Sequence, residues 1–190
     1  MKQLPILETE RLILRSFTYD DASMVKELAG AYEIAYNTLL IPHPYEEGMA
    51  ENWIGTHQPE LEADHALTFA ITHKQESYLI GAIGLNIERV KDPAEIGYWI
   101  GTPYWNLGYC TEAARAVIQY GFDKLHLHQI YATHFTRNQA SGKVMRKIGM
   151  KHVCRLPQWV KKWDEYIDLD LCAILKSEYD QMHREPPKGQ

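Results

Sequence analysis

The sequence predicts a mixed α/β fold, and three observations support this prediction. Two kinds of segment alternate along the chain. In one kind, apolar and polar residues alternate as in half-buried strands, and in the other, apolar residues recur every three or four positions as in helices. The 190 residues include 45% hydrophobic and 24% charged residues, which is typical of a globular protein with a sizeable core. No internal repeat or low-complexity block interrupts the alternation. This order of elements indicates a sheet covered by helices.

The first third of the chain is predicted to contain a strand followed by two helices. Residues 9–15 alternate apolar and polar side chains, as a half-buried strand does. The segment 18–30 has acidic residues early, apolar positions at helical spacing and a final glycine, which favours a capped amphipathic helix. Two prolines make 39–45 a loop, and we predict a second helix over 46–63.

Two further strands are predicted after this helix. Residues 67–72 and 79–87 are rich in strand-forming side chains, and a polar turn separates them. Gly81 and Gly84 lie inside the second of these strands. Glycine in a strand interior suggests either a bulge or the close approach of another backbone.

The centre of the chain combines a strand, a short loop and a helix, an order that favours anion binding. Residues 94–100 have a strand pattern, and 104–125 contain the loop and the helix. The first N–H groups of a helix lack intrahelical partners and carry partial positive charge, so a pyrophosphate could bind at the amides of 107–111. Gly108 would permit a close approach of the ligand. A plain strand-to-helix turn is the alternative, because the segment has neither a Walker motif nor a three-glycine fingerprint.

The C-terminal third is predicted to add further strands and one helix. In the helix, an asparagine suits the N-cap position and a glycine suits the left-handed stop. The predicted elements are a strand at 129–135, a helix from Asn138 to Gly149, strands at 151–156 and 165–175 joined by a bridge at 157–164, and a frayed tail over 179–190.

Composition argues against several classes of protein. The net charge of -5 disfavours a nucleic-acid-binding protein, because phosphate neutralisation needs a Lys/Arg-rich face. Cys110, Cys154 and Cys172 have no C-x-x-C spacing, so we expect neither a disulfide framework nor a zinc site, as in a reducing cytoplasm. The histidines include one close pair, His126 and His128, and we expect no metal. No run of about 18 apolar residues predicts a membrane span.

Four separated motifs give the chain a resemblance to a known family. TERLILR, YWNLGYCTEA and NQASGKVMRKIGM occur in this order, and Tyr166 and Asp168 complete a closing Y-x-D pattern. Together they resemble the GNAT N-acetyltransferases, specifically the branch with the Rim-type ribosomal-protein N-terminal acetyltransferases. The resemblance covers about 7–178 and implies one domain over 1–190.

The resemblance implies a GNAT fold and a site for acetyl-coenzyme A (acetyl-CoA). In that fold the sheet is mostly antiparallel and flanked by helices, and its fourth and fifth strands, here those of Glu95 and Tyr131, splay apart around the co-substrate. Asn138 would touch the pantetheine arm. Cys110 stands where the family has Gly or Ala, and a helix N-terminus can lower a thiol pKa. We interpret it as a tolerated small residue and not as a nucleophile. The residues that would hold the pyrophosphate are Leu107, Gly108, Tyr109, Cys110 and Thr111.

Acetyl transfer by direct attack through a tetrahedral intermediate makes three demands on the chain. The amine must be neutral, the oxyanion must be stabilised and the thiolate must leave. Glu95 and His134 are candidate general bases, and Ser141 could donate a hydrogen bond to the departing sulfur. The alternatives are ordinary solvent-facing strand residues and, for Ser141, a local helix bond. The tyrosine that many GNAT enzymes use as general acid would fall at Met145.

The sequence leaves the identity of the amine acceptor open. A primary amine is expected, with the N-terminal α-amine of a ribosomal protein as one candidate, because an α-amine is neutral far more often than a lysine near neutral pH. A small-molecule amine such as an antibiotic, a polyamine or an amino acid is the alternative, as is a non-catalytic acyl-CoA-binding sensor. Trp53, Trp159 and Trp163 could wall a cleft, although we favour packing for Trp53 and its helix neighbour His57. A monomer and a homodimer are both compatible with the sequence.

Overall fold

A mixed sheet forms the centre of the protein. The computed structural model describes residues 1–87 and 93–183. Its strands are β1 (Leu7–Glu8), β2 (Leu12–Arg15), β3 (Ala66–His73), β4 (Leu79–Ile87), β5 (Pro93–Ile100), β6 (Gln129–Phe135), β7 (Lys151–Lys162) and β8 (Glu165–Leu175). Its α-helices are α1 (Ala22–Ala29), α2 (Tyr32–Asn37), α3 (Met49–Glu62), α4 (Tyr109–Asp123), α5 (Gln139–Lys147) and α6 (Lys176–His183). The strands lie in the order β1-β2-β3-β4-β5-β6-β8-β7.

The sheet is mostly antiparallel, as predicted. β1 to β5 form an antiparallel meander, and β8 pairs antiparallel with both β6 and β7. Among the described strands, β5 and β6 alone run parallel. A parallel pair needs a crossover, and α4 supplies it by carrying the chain from the end of β5 to the start of β6. The predicted mixed α/β class is therefore confirmed.

β5 and β6 separate soon after they begin. Their ladder joins residues 93–95 to residues 129–131. Beyond Glu95, β5 continues to Ile100 against β4, whereas β6 continues to Phe135 against β8. We call the gap between these diverging ends the splay. Its two edges present backbone N–H and C=O groups that the sheet ladder does not pair, and the predicted divergence of these strands is confirmed.

Helices cover both faces of the sheet. On one face, α1 and α3 pack against Ala70, Ala82 and Trp99. On the opposite face, α4 and α5 pack against residues such as Ile71 and Ile96. Neighbouring residues of one strand point to opposite faces, which explains why Ala70 and Ile71 belong to different clusters. We name these the α1–α3 face and the α4–α5 face.

The glycines of β4 allow its neighbouring strands to approach closely. A side chain at Gly81 would begin 2.2 Å from the Trp99 carbonyl oxygen, and one at Gly84 would begin 2.5 Å from the Leu67 carbonyl oxygen. No Cβ atom tolerates such distances, so any larger residue would force the strands apart. The predicted close approach of another backbone is confirmed at both positions.

The N-terminal elements are shorter than predicted. The expected strand at 9–15 is confirmed only over β2, because the Thr9 N–H donates to the Leu12 carbonyl at 3.0 Å and closes a turn that separates β2 from β1. The expected helix at 18–30 begins with a 3₁₀ turn at Tyr19–Asp21 and continues as α1, with Gly30 at its C-cap. The sequence interpretation missed α2, whose six residues are too few for a clear periodic signal.

The C-terminal elements are more regular than predicted. The expected bridge at 157–164 is wrong, because β7 continues through a bulge to Lys162. Pro157 cannot donate to a ladder, and the next amide, of Gln158, donates instead to the Asp168 carboxylate at 2.8 Å. The expected fraying is wrong for 179–183, since these residues belong to α6. Residues 184–190 lie outside the described part of the chain.

Burial explains why α6 is ordered. Tyr179 is only 8% exposed, and its ring lies 5.0 Å from the ring of Phe122 on α4. An aromatic side chain that loses most of its contact with water stabilises the segment that carries it. Burial of Tyr179 therefore explains why residues 179–183 are helical although their composition suggested fraying.

Candidate active site

The start of α4 is a helix terminus with free backbone donors. Gly108 precedes the helix with a φ of 82°, a left-handed conformation that favours glycine. The first intrahelical bond runs from the Glu112 N–H to the Gly108 carbonyl at 3.1 Å, so the amides before Glu112 have no partner within the helix. Such amides and the helix dipole favour an anion. Of the predicted donors, Leu107 and Gly108 are exposed, Cys110 and Thr111 are half-buried, and Tyr109 is buried.

Arg11 and Glu112, which sequence analysis did not assign to the site, hold this loop in place. The Arg11 guanidinium donates to the Leu107 carbonyl at 3.0 Å and lies 4.6 Å from the centre of the Tyr109 ring. Arg11 also donates through Nε to the Glu112 carboxylate at 2.7 Å. Arg11 lies almost one hundred positions before α4, so local pattern could not reveal the contact.

A concave, partly cationic surface adjoins the same helix terminus. Two of the positive charges on this surface belong to Arg115 and Lys147, which form no ion pair within residues 1–87 and 93–183. The Arg115 guanidinium also donates a hydrogen bond to the Lys147 carbonyl at 3.2 Å. Cations next to free helix amides suit a ligand with several phosphates. The residues that line this surface are Glu10, Arg11, Gly108, Thr111, Glu112, Arg115 and Lys147.

Cys110 does not have the lowered pKa that its position at a helix N-terminus suggested. Burial raises the pKa of the Cys110 thiol to about 12, because the thiolate would lose its contact with water. The half-buried side chain packs against the core of the α4–α5 face. Desolvation therefore outweighs the helix dipole, and the thiol stays protonated at neutral pH.

Glu95 lies where the splay begins, on the α1–α3 face. Its carboxylate accepts a hydrogen bond from the Thr133 hydroxyl at 3.0 Å, which connects β5 to β6 at the last paired residue. The next residue of β5 on the same face, Gly97, is exposed, and a Cβ built there meets no atom within 4 Å. The Glu95 carboxylate therefore borders open space at the point where β5 and β6 begin to separate.

Asn138 and Ser141 form the start of α5. The Asn138 side chain accepts a hydrogen bond from the Ser141 N–H at 3.1 Å, so the predicted N-cap is confirmed. The Asn138 amide group also donates to the Asn37 carbonyl at 3.4 Å, which ties α5 to the end of α2. The Ser141 hydroxyl lies 2.9 Å from the hydroxyl of Tyr98, a residue of β5. Sequence analysis did not identify Tyr98 as a partner of Ser141.

His134 lies on the other side of the sheet from Glu95. It follows Thr133 on β6, and neighbouring strand residues point to opposite faces. The ring is only 9% exposed, its Nδ1 lies 2.9 Å from the Phe135 carbonyl oxygen, and its Nε2 lies under Gly142 of α5. The structure therefore brings together Tyr98, Asn138 and Ser141, but it does not bring the two candidate bases together.

The predicted packing of Trp53 is confirmed, and the cluster that contains it includes neither Trp159 nor Trp163. The Trp53 ring lies 4.5 Å from the His57 ring and 6.4 Å from the Trp99 ring within the cluster of the α1–α3 face. Trp163 stacks on Tyr32 at 5.9 Å, whereas Trp159 is 65% exposed.

Neither a metal-binding group nor a membrane-spanning helix occurs within residues 1–87 and 93–183. No three His, Cys, Asp or Glu side chains there are arranged so that they could hold a metal ion. No helix in that part of the chain is both long enough and apolar enough to cross a bilayer. Cys110, Cys154 and Cys172 are free thiols.

Comparisons with known proteins agree with this geometry. A family model described as an acetyltransferase (GNAT) domain matches residues 11–151. The uncharacterized N-acetyltransferase YnaD of Bacillus subtilis (strain 168) is 30% identical over 174 residues, which cover 92% of this chain and 99% of YnaD.

Solved structures share the fold. The acetyltransferase (GNAT family) from Bacillus anthracis matches with a TM-score of 0.82 and 27% identity, over 91% of this chain and 99% of that protein. RimL, a ribosomal L7/L12 alpha-N-protein acetyltransferase solved with coenzyme A, matches with a TM-score of 0.81 and 16% identity, over 90% of this chain and 98% of RimL.

Proposed function

The chain belongs to the GNAT acetyltransferase family and is an acetyl-CoA-dependent N-acetyltransferase, and from that premise we propose that its acceptor is the N-terminal α-amine of a protein or peptide. The observation that carries this proposal is the position of Glu95. A carboxylate at the opening of the splay, beside the exposed Gly97, can meet an extended chain end that enters from the α1–α3 face.

The residues at the start of α4 and along the splay fit acetyl-CoA. The free amides at the start of α4, with Arg115 and Lys147 beside them, suit its phosphates. The unpaired strand edges of β5 and β6 suit the amide groups of its pantetheine arm, which can add to a sheet edge as a strand does. When bound, acetyl-CoA supplies an acetyl thioester.

Glu95 is the proposed general base. Its carboxylate accepts a hydrogen bond from the Thr133 hydroxyl at 3.0 Å. An ionised carboxylate can accept several hydrogen bonds at once, so Glu95 can also receive a proton from the amine, directly or through a water molecule. His134 is the less favoured candidate, because its ring is buried on the opposite face beneath Gly142.

Ser141 is the proposed partner of the departing sulfur. It is the third residue of α5, so a hydroxyl donor and the positive end of a helix dipole meet at one point beside the splay. Negative charge that develops on sulfur would be stabilised there without an acyl-enzyme. This arrangement suits direct transfer.

The choice of an α-amine follows from the demand on the base. An α-amino group has a reference pKa of about 7.7–8.0 and a lysine side chain one of about 10.4, so near neutral pH the α-amine needs much less help to become neutral. One carboxylate that acts through water is adequate for that task. RimL, which shares the fold, is by its name an alpha-N-protein acetyltransferase, so the fold accommodates a protein N-terminus.

The test measures thiol release from acetyl-CoA with a panel of peptide N-termini, lysine side chains and small amines. We expect release with peptides that have a free N-terminus and none after their N-terminal blocking. Glu95→Gln should lower kcat by about 10²- to 10⁴-fold while calorimetry finds an unchanged Kd for acetyl-CoA. Glu27→Gln, at an exposed position of α1, is the matched control.

Two results would contradict the proposal. Release only with a polyamine or another small amine would identify a small-molecule acceptor. Full turnover of Glu95→Gln would exclude the carboxylate as the base, and the same measurement on His134→Gln would then test the second candidate.

A further inference from the structure

A hydrogen bond between two hydroxyl groups spans the splay on the α4–α5 face. Tyr98 belongs to the part of β5 that has already left β6, and Ser141 belongs to the helix that follows β6. The Tyr98 hydroxyl oxygen lies 2.9 Å from Ser141 Oγ and 3.3 Å from the Ser141 carbonyl oxygen. This contact thus links the two strands that the sheet ladder no longer joins.

We infer that Tyr98 is a positioning residue, which donates its hydrogen bond to Ser141 Oγ and so turns the hydrogen of Ser141 toward the departing sulfur of coenzyme A. The inference rests on the proposed function, because it takes Ser141 as the group that meets the sulfur. Tyr98 itself touches neither the acetyl group nor the amine in this scheme.

The Tyr98 phenol carries a hydrogen, and two oxygen atoms of Ser141 lie close enough to accept it. Burial, with a smaller contribution from the nearby Cys110, raises the pKa of Tyr98 well above its ordinary value, so the phenol keeps its hydrogen at any physiological pH. A hydroxyl has one hydrogen to donate. The closer acceptor is Ser141 Oγ, since the carbonyl oxygen is 0.4 Å farther away by the difference of the two distances.

The other groups of Ser141 are already engaged. Its N–H donates to the Asn138 side chain at 3.1 Å, which fixes the first turn of α5. If Tyr98 donates to Oγ, the Ser141 hydrogen must point away from Tyr98. The reverse assignment, in which Ser141 donates to Tyr98 and Tyr98 donates to the carbonyl, would leave Ser141 with no hydrogen for the sulfur. The two assignments therefore make opposite predictions for the removal of the phenolic hydroxyl.

The leaving-group step balances without a proton from Tyr98. The bond between the amine nitrogen and the acetyl carbon forms, the bond between that carbon and sulfur breaks, and the electron pair stays on sulfur as a thiolate. Ser141 donates a hydrogen bond to this thiolate, while the proton of the amine leaves through Glu95 to water. The thiolate takes up a proton from solvent after release, so Tyr98 and Ser141 end the cycle unchanged.

The experiment is a double-mutant cycle on the full chain. Tyr98→Phe should lower kcat about tenfold, as expected for the loss of roughly one hydrogen bond in the transition state. The Kd for acetyl-CoA, measured by calorimetry, and the Tm should change little. In the Ser141→Ala background, Tyr98→Phe should have no further effect on kcat. In the Ser141→Thr background, which keeps the hydroxyl, its effect should return.

Tyr179→Phe is the matched control. It removes the hydroxyl of another buried tyrosine, on α6 and outside the site, and it should leave kcat unchanged.

The outcomes separate this inference from the proposed function. An undiminished effect of Tyr98→Phe in the Ser141→Ala background, a kcat that Tyr98→Phe leaves intact, or a weaker Kd for acetyl-CoA as its main effect would each overturn the inference. Normal turnover of Ser141→Ala itself would remove Ser141 from the mechanism and the inference with it. The measurement on Glu95→Gln would still test the base independently.

Discussion

At the scale of one residue, His57 shows how packing changes the pKa of a side chain. Its ring lies 4.5 Å from the Trp53 ring and 5.3 Å from the Phe17 ring. Both ring nitrogens are buried and make no hydrogen bond with the described residues. Burial lowers the pKa of His57 to about 4, because the imidazolium would lose its hydration and find no partner.

This burial predicts a specific dependence of stability on pH. Between the ordinary histidine pKa of about 6.5 and the folded value of about 4, the unfolded chain binds a proton that the folded chain does not. The free energy of unfolding therefore falls as the pH falls through this window. His57→Phe should flatten that fall in urea denaturation across the same pH range, whereas the exposed His65→Phe should leave it unchanged. An equally steep fall in His57→Phe would contradict the prediction.

At the scale of elements, one carboxylate joins the turn between β1 and β2 to the first turn of α4. Glu112 accepts hydrogen bonds from the Thr9 hydroxyl at 2.6 Å, the Arg11 N–H at 2.8 Å and Arg11 Nε at 2.7 Å. Burial raises the pKa of Glu112, but these hydrogen bonds lower it more, and its net pKa lies below the ordinary value. The edge of the sheet thus holds the helix whose amides are proposed to bind phosphate.

Removal of this carboxylate should weaken both stability and co-substrate binding. Glu112→Gln would leave donors of Thr9 and Arg11 poorly satisfied, at a cost of about 1–3 kcal/mol in the free energy of unfolding. The contribution of the carboxylate is present above its unfolded pKa of about 4.3 and is lost as the pH falls through the lower folded value. Urea denaturation and calorimetry with acetyl-CoA measure the two effects, with the exposed Glu76→Gln as control. Unchanged values for both would exclude this role of Glu112.

At the scale of the whole molecule, hydrogen bonds connect residues that follow the splay in the sequence to the region of α2 near the N-terminus. Lys162, at the end of β7, donates to the Leu39 carbonyl at 3.0 Å and the Ile41 carbonyl at 2.6 Å, and it is only 6% exposed. Nearby, the Arg137 guanidinium donates to the Tyr36 carbonyl at 2.7 Å. These contacts join the β7–β8 hairpin to the segment between α2 and α3, and the segment after β6 to α2.

Loss of the Lys162 contact should loosen this connection. Lys162→Met would leave two carbonyls without their donor and should lower the free energy of unfolding by about 1–3 kcal/mol, which corresponds to about 2–4 °C in Tm for each kcal/mol. We expect the KM for the amine to rise more than the Kd for acetyl-CoA, because the contact is remote from α4. Lys161→Met, the exposed neighbour on the same hairpin, is the control. A variant with the Tm and KM of the wild type would contradict the prediction.

Local pattern was sufficient for most of the elements. The strand at Gln129–Phe135, the N-cap at Asn138 and the left-handed Gly149 depend on residues that are close in sequence, and the structure confirms all three. The same holds for the order of strand, loop and helix around Gly108. The roles of the predicted site residues stay predictions, to be tested by the variants above.

The α/β class, the family resemblance and the segment proposed to bind phosphate could all be inferred from the amino-acid sequence, because strand period, helix caps and motifs are local properties. The tertiary structure alone decided that Arg11 holds the loop before α4, that Tyr98 meets Ser141, and that Glu95 and His134 lie on opposite faces. These relations join residues far apart in the chain, and only the path of the folded backbone sets their distances. The raised pKa of Cys110 has the same origin, since a thiol loses water only when other parts of the chain close over it.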